Sequence, residues 1–439
     1  MSLIKRDANV LWHPYTQHKI PSSPLGIVRA EGVYLYDEKG NKYIDAIASW
    51  WVNIHGHSHP FIAEKVFQQF KKLEHVMFAG FTHEPAVELA EKLLEKLPDN
   101  LGKIFYSDNG STAIEVAIKM AIQYWHNKGN AKTKIVAFKN GYHGDTFGAM
   151  SVSARDHFTN SFIPFLFDVE FIDVPSNPNE NDSLFQLTEL AKKGDVAAFI
   201  FEPLIQGAAG MVMYSPQELD KLLAICSKYN VLSIADEVFT GFGRTGKFFA
   251  MDYLQQKADI ICLSKGITSG AMPLGVTACT DEIYNTFCSE DKSKTFFHGH
   301  SFTANPLACA AALANLELFE NPKVFKDIKR IQEKHLLFIE SLKGFQNIKD
   351  ARFLGTVLAL EVLTEDKTGY LNNLRDFIYP FFIQKKIVIR PLGNVIYIVP
   401  PYCISNEDLD YIYSTIKECL TALKDGSLKV NLQQQWVNG

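Results

Sequence analysis

Two apolar runs in this chain each lead into a single functional charge. Val231–Ala235 runs into Asp236-Glu237-Val238, and Ile260–Leu263 runs into Ser264-Lys265-Gly266. Each reads as a strand carrying one charged residue at its end. Asp236 and Lys265 lie 29 residues apart, which suits a strand-to-strand step with a crossover between. An Asp and a Lys so placed fit the two ends of one aromatic cofactor. The Asp pairs with a pyridinium nitrogen and the Lys condenses with an aldehyde, the requirement for pyridoxal phosphate chemistry. The plainer alternative is a strand-end salt bridge or two solvated charges.

The rest of the chain supports a layered α/β fold. Lys103–Ser107, Ile135–Phe138, Val196–Phe201, Val231–Ala235, Ile260–Leu263 and Gly275–Cys279 are compact apolar runs, most of them rich in Val and Ile. Such runs suit strands buried on both faces, as in parallel sheets. Helical periodicity lies between several of them: Thr112–Trp125, with Thr112 and Glu115 spaced as a capping box, and Pro216–Tyr229. Asn305–Glu320 reads as a long helix with Leu307, Ala311, Ala314 and Leu318 on one stripe, and Lys326–Leu342 as an amphipathic one. Beyond residue 345, short strands (Thr356–Val362, Val388–Ile389, Val395–Val399) and a last helix, Asn406–Leu423, predict a smaller α+β unit. Before residue 50, Gly- and Pro-broken strands flank a hairpin turn at Lys39–Lys42. The expected division is an N-terminal segment over 1–55, a large domain over 56–325 and a small domain over 326–439.

Composition narrows the class. With 439 residues, 47% apolar and 21% charged, the chain has material for a large soluble core. Its formal charge is −5 with no basic cluster, which argues against nucleic acid. Seven scattered cysteines without a CxxC pair fit a reducing cytoplasm better than disulfides or zinc. The N-terminus carries Lys5, Arg6 and Asp7 and no long apolar run, so neither a signal peptide nor a membrane anchor is expected.

Further segments sit where a ligand would meet strand ends. Asp108-Asn109-Gly110-Ser111-Thr112 joins a strand to a helix start, where amides, dipole and hydroxyls receive an anion. An ordinary N-cap has the same appearance. Asn140-Gly141-Tyr142-His143-Gly144-Asp145 offers an aromatic ring to stack on a flat cofactor, or a turn with a part-buried Tyr. Glu202 ends another strand. Tyr142, Glu202, Asp236 and Lys265 thus share the position at which open α/β sheets bind ligands. His55, His57 and His59 alternate without a clear fourth metal ligand. Gly241-Phe242-Gly243-Arg244-Thr245-Gly246 lacks a P-loop ending and reads as flexible Gly with a structural Arg. Arg390 is either a carboxylate clamp or a surface charge.

The chain resembles the class III aminotransferases of PLP-dependent transferase fold type I along nearly its whole length. The run Ile234–Gly246 and Leu263-Ser264-Lys265-Gly266 carry the resemblance, with Trp12-His13-Pro14-Tyr15-Thr16, Ser49-Trp50-Trp51, His75-Val76-Met77-Phe78, Asn140–Met150 and Arg390-Pro391-Leu392-Gly393. It implies a large domain with a mostly parallel central sheet, a smaller α+β domain and pyridoxal 5'-phosphate as cofactor. Lys265 would hold the cofactor and move the proton, and Asp236 would face the ring nitrogen. Tyr142 and Val238 would take the two ring faces, Gly110 and Ser111 the phosphate, and Glu202 a neighbouring hydrogen-bonding position. Ser301 would complete the phosphate site from a second subunit, so a homodimer is implied, and Gly299 would bind substrate. Tyr15, Trp50, Trp51, Tyr142, Asp145, Arg390 and Tyr397 would line the substrate pocket. Within the family the marks are most similar to members of biotin biosynthesis, which implies 8-amino-7-oxononanoate as acceptor, and Tyr15 with Asp145 favours S-adenosyl-L-methionine over lysine as donor. Other ω-aminotransferases, a PLP aminomutase and a non-catalytic PLP-binding protein remain the rivals.

Overall fold

The computed structural model describes residues 2–19, 24–130, 132–175, 182–366 and 368–428. Its centre is a seven-stranded sheet in the order Leu101–Ser107, Gly275–Thr280, Ile260–Leu263, Leu232–Asp236, Val196–Phe201, Lys134–Phe138, Val169–Ile172. Six strands point one way, and Gly275–Thr280 runs against both its neighbours. Alternate residues of a strand face opposite sides, and the sheet uses this to build two cores. Ile135, Ala137, Ala198, Ile200, Ile234 and Ile260 pack with the helix Gly110–Asn127. Val136, Phe138, Phe199, Phe201, Ala235 and Ile261 face the other side, with Leu219, Leu222 and Leu223 of the helix Pro216–Lys228. Every residue of Val196–Phe201 is therefore buried, and its uninterrupted apolar sequence follows from cover on both faces.

Two smaller sheets complete the chain. Ile27–Glu31, Tyr34–Asp37 and Lys42–Asp45 form an antiparallel meander, and Ile387–Val388 adds to it parallel to Lys42–Asp45. Ile348–Leu354, Val357–Val362 and Val395–Ile398 form the other, with the helices Lys323–Glu340 and Asn406–Lys424 in the same C-terminal part of the chain. The first and last thirds of the chain thus meet in one sheet.

Two local expectations change, and two strands lie where none is expected. The capping box at the helix Gly110–Asn127 is formed by Asn109 and Thr112, not Thr112 and Glu115. The helix starts two residues earlier than the spacing suggests, which frees Glu115 to accept from the Gly148 and Ala149 amides at 2.7 and 3.1 Å. Val169–Ile172 and Ile348–Leu354 are strands without a clear apolar run: one is a sheet edge with a single buried residue, the other is half polar. The helix Pro306–Phe319 is buried on more than the foreseen stripe, Ala308, Ala310, Ala312 and Leu316 included. It is wrapped by neighbouring helices, so one apolar stripe does not describe it.

Arg244 joins these parts. It is 1% exposed and donates to the carbonyls of Pro400 (2.7 Å), Asn53 (3.1 Å) and Trp51 (3.3 Å). Its guanidinium lies over the Tyr402 ring. Gly243 takes φ +90° there, and a Cβ at that position would stand 2.7 Å from Ile328. The glycine-rich run is therefore a way to bury an arginine. Arg244→Met should cost about 3 kcal/mol, since three buried carbonyls lose a charged donor. Denaturant unfolding would show it as a lower midpoint, and an unchanged midpoint would mean that water replaces the guanidinium.

Candidate active site

Tyr142, Glu202, Asp236 and Lys265 follow the carboxyl ends of four neighbouring strands and meet at one cavity of about 670 Å3. Asp236 is 5% exposed. One carboxylate oxygen accepts the Val238 amide at 3.1 Å, and the other lies 2.7 Å from His143 Nδ1. His143 is itself buried, and its backbone amide donates to Ser153 Oγ at 2.8 Å. His143 belongs to the Asn140–Met150 motif, and only its contact with Asp236 gives it a role. Its signal was its place beside Tyr142 at a strand end.

Lys265 opens a tight turn, Lys265–Thr268, with a left-handed φ of 46°. Its Nζ lies 4.5 Å from the centre of the Trp51 ring and 5.6 Å from that of Phe239. Burial lowers its pKa to about 8, while the nearby Asp236 and Glu202 charges pull it upward. The turn is buttressed from below by Asn315, fully buried, which donates to the Ile267 carbonyl at 3.0 Å. Glu202 accepts the amides of Tyr142 (3.0 Å) and Gly207 (2.8 Å). Burial pushes its carboxyl up to about 7.

The start of the helix Gly110–Asn127 closes one end of the cavity. A Cβ on Gly110 would stand 2.7 Å from Val238, so only glycine lets a ligand and Val238 share that space. Ser111 Oγ and Thr146 Oγ1 are 2.8 Å apart at the same end. Helix N-terminus, hydroxyls, a carboxylate fixed by His143 and a buried amine form a donor set that fits pyridoxal phosphate.

A second cluster, of Tyr15, Trp50, Arg390 and Tyr397, touches the cavity residues Trp51, Tyr142 and Asp145 but does not itself line the cavity. Tyr15 bonds to Asp145, and its hydroxyl lies 3.2 Å from that of Tyr142. Burial, then the Asp145 bond, raises its pKa to about 12. The Tyr15 and Trp50 rings meet edge to face at 5.4 Å, and the Arg390 guanidinium lies 4.9 Å from the centre of the Trp50 ring. Tyr397 is 1% exposed and accepts from the Trp51 indole at 3.3 Å, so it stands behind Trp51. Ala48, Ser49, Trp50 and Trp51 all have positive φ, between 45° and 75°. Bonds from Trp51 N to Ile47 O (2.8 Å) and Val52 N to Ala48 O (2.9 Å) make this one turn of left-handed helix. Its strain is roughly 1–2 kcal/mol per residue.

Gly299 and Ser301 are exposed and do not line this cavity. Between them, His300 pairs with Asp108 of the same chain at 3.2 Å. The alternating histidines diverge: His57 Nε2 lies 2.8 Å from Asp45, while burial pushes His55 down to about 4. No group of three or more metal-ligating side chains occurs among the described residues.

The class-III aminotransferase family model matches residues 15–420, and the chain belongs to that family. Its relatives narrow the likeness. The adenosylmethionine-8-amino-7-oxononanoate aminotransferase of Synechococcus elongatus is 46% identical over 93% of this chain and 98% of that protein. The protein of the same name from Geobacter sulfurreducens is 39% identical over 96% and 97%. The crystal structure of the Methanocaldococcus jannaschii adenosylmethionine-8-amino-7-oxononanoate aminotransferase superposes with a TM-score of 0.89 at 39% identity, covering 95% of this chain and 98% of that one. The Pseudomonas jessenii omega transaminase, solved in complex with PMP, gives 0.90 at 26% identity, covering 98% and 99%.

The depressed Lys265 amine has a direct consequence. A solvated lysine becomes neutral only near pH 10.4, roughly, whereas Lys265 does so near 8. Covalent capture of pyridoxal phosphate by the cofactor-free protein should rise with pH through a midpoint near 8, followed by absorbance. A midpoint above 10 would mean a solvated amine.

Proposed function

We propose that this protein transfers the amino group of S-adenosyl-L-methionine to 8-amino-7-oxononanoate, giving 7,8-diaminononanoate in biotin biosynthesis. The carrying observation is the cavity where Lys265, Asp236 and Tyr142 converge, in a chain 46% identical to a relative of that name. The transfer is ping-pong: the donor is deaminated and leaves before the acceptor is aminated in the same pocket.

Pyridoxal phosphate, when bound, supplies an aldehyde for the amine and a ring that draws electrons from it. Gly110 and Ser111 receive its phosphate, and Tyr142 and Val238 enclose its ring. Asp236 would face the ring nitrogen and keep a proton there, and His143 holds that carboxylate in place. Glu202 anchors the Tyr142 and Gly207 amides. The Lys265 amine, neutral above about 8, removes the proton from the donor's α-carbon and later delivers one to the acceptor carbon. Trp51 and Phe239 keep water from that amine. Tyr15 stays protonated and donates to Asp145, which leaves its oxygen to accept from Tyr142 or a substrate group. Arg390, over Trp50, takes a substrate carboxylate. Flat aromatic walls accept two unlike substrates because they do not demand one shape.

We also propose a cytoplasmic homodimer, with Ser301 and Gly299 completing the partner's site. Their exposure and their absence from the lining of their own chain's cavity support this. Among the described residues, no helix is long and apolar enough to cross a membrane. The proposed division remains 1–55, 56–325 and 326–439, with residues 1–55 serving both the small domain and the site.

The decisive experiment is a half-reaction. Adenosylmethionine alone should shift the absorbance of the holoenzyme from its pyridoxal to its pyridoxamine form, and 8-amino-7-oxononanoate should reverse it. Conversion by lysine but not adenosylmethionine would move the donor to lysine. Lys265→Ala should abolish turnover, and multiple turnovers in that variant would defeat the assignment. Gly110→Ala should weaken cofactor binding about tenfold or more, by overpacking against Val238. Titration of the cofactor-free protein measures it, and wild-type affinity would remove Gly110 from the phosphate site.

A further inference from the structure

The two tryptophans of the site ride on four consecutive left-handed residues, none of them glycine. Such a turn persists only where its surroundings over-determine it. One buried side chain pins the start of the turn. Asp45 ends the strand Lys42–Asp45 and is fully buried. Its carboxylate accepts the Ile47 amide at 3.2 Å, the Ser49 amide at 2.7 Å and the Ser49 hydroxyl at 2.8 Å. His57 Nε2 lies 2.8 Å from the same carboxylate, and His57 Nδ1 lies 3.3 Å from the Asn53 amide nitrogen. That network assigns Nε2 as the donor to Asp45 and Nδ1 as the acceptor from Asn53. The His57 backbone exchanges two hydrogen bonds with Gly32 (2.7 and 3.2 Å), which fixes the ring from behind.

The far end of the turn is held separately, by Arg244 on the Trp51 and Asn53 carbonyls. Asp45 grips the start, and the two rings project between the grips. Trp51 covers the Lys265 amine, and Trp50 lies between Tyr15 and Arg390.

We propose that Asp45, assisted by His57, is a positioning residue that holds Trp50 and Trp51 in the left-handed turn and so sets substrate affinity. The inference rests on the reading of these tryptophans as substrate walls. Asp45 acts at a distance, through backbone amides. Relaxing the turn moves the walls and leaves the cofactor cradle of Gly110, Ser111 and Asp236 intact.

The test uses Asp45→Asn in the holoenzyme. The expected result is wild-type cofactor content, weakened near-UV tryptophan dichroism and a KM raised about tenfold for both substrates, with kcat lowered as well because Trp51 no longer covers the Lys265 amine. Ser49→Gly added to Asp45→Asn should recover most of the KM, because glycine adopts the left-handed backbone without a steric cost. Ser49 is exposed, so no packing is lost. Should Asp45→Asn not fold, His57→Gln tests the same network and should shift dichroism and KM in the same direction. Wild-type dichroism and KM in the folded variant, or a KM rise that Ser49→Gly leaves in place, overturns the proposal. Trp50→Ala separates the two levels. A wild-type KM there sinks the wall reading, while lost dichroism in Asp45→Asn still supports Asp45 as the holder of the turn.

Discussion

Burying one amine beside two carboxyl groups is the constraint on which the site depends. Lys265 lies under Trp51 with Asp236 and Glu202 near it, and burial lowers its pKa to about 8. An uncompensated buried charge would be costly; burial favours the neutral amine while Asp236 and Glu202 favour the charged one. The Lys265–Thr268 turn is braced by Asn315, the Asp236 carboxylate by His143, and Glu202 by two amides. Each brace comes from a different element, which makes the reactive group a property of the whole large sheet.

The same economy of fixed elements links the chain's ends to its middle. Arg244 sits in the middle of the chain yet bonds to residues near both ends, at Asn53 and Pro400. The Lys42–Asp45 strand pairs with Ile387–Val388. Trp51 thus reaches Lys265 from a segment about two hundred residues away in sequence, held by Asp45 on one side and Arg244 on the other. The strained turn between them is tolerated because both ends are pinned in buried structure.

Much of the sheet was legible in the sequence. Val196–Phe201 and Ile260–Leu263 match their expected limits, because strands buried on both faces leave uninterrupted apolar runs. Val169–Ile172 and Ile348–Leu354 were not legible, since an edge strand and a half-polar strand lack that run. The helix start at Gly110 escaped the Thr112–Glu115 spacing because two overlapping cap patterns compete in one stretch, and only the backbone selects between them. Of the site, the strand-end residues Tyr142, Glu202, Asp236 and Lys265 were legible by position. The His143 contact and the place of Tyr397 behind Trp51 were not, since each depends on a side-chain direction.

What the sequence by itself determined is local: buried strands, the charges at their ends, the glycine at the helix start, and motifs that place the chain among the class III aminotransferases. Short-range patterning and residue chemistry suffice for these. The tertiary structure alone decided which groups meet. Asp45 and His57 at the base of the tryptophan turn, Arg244 across three segments, and Tyr15 on Asp145 are contacts between residues that pattern does not relate. The physical reason is that pKa, strain and ring placement depend on burial and neighbours in space, and those exist only once the chain has packed.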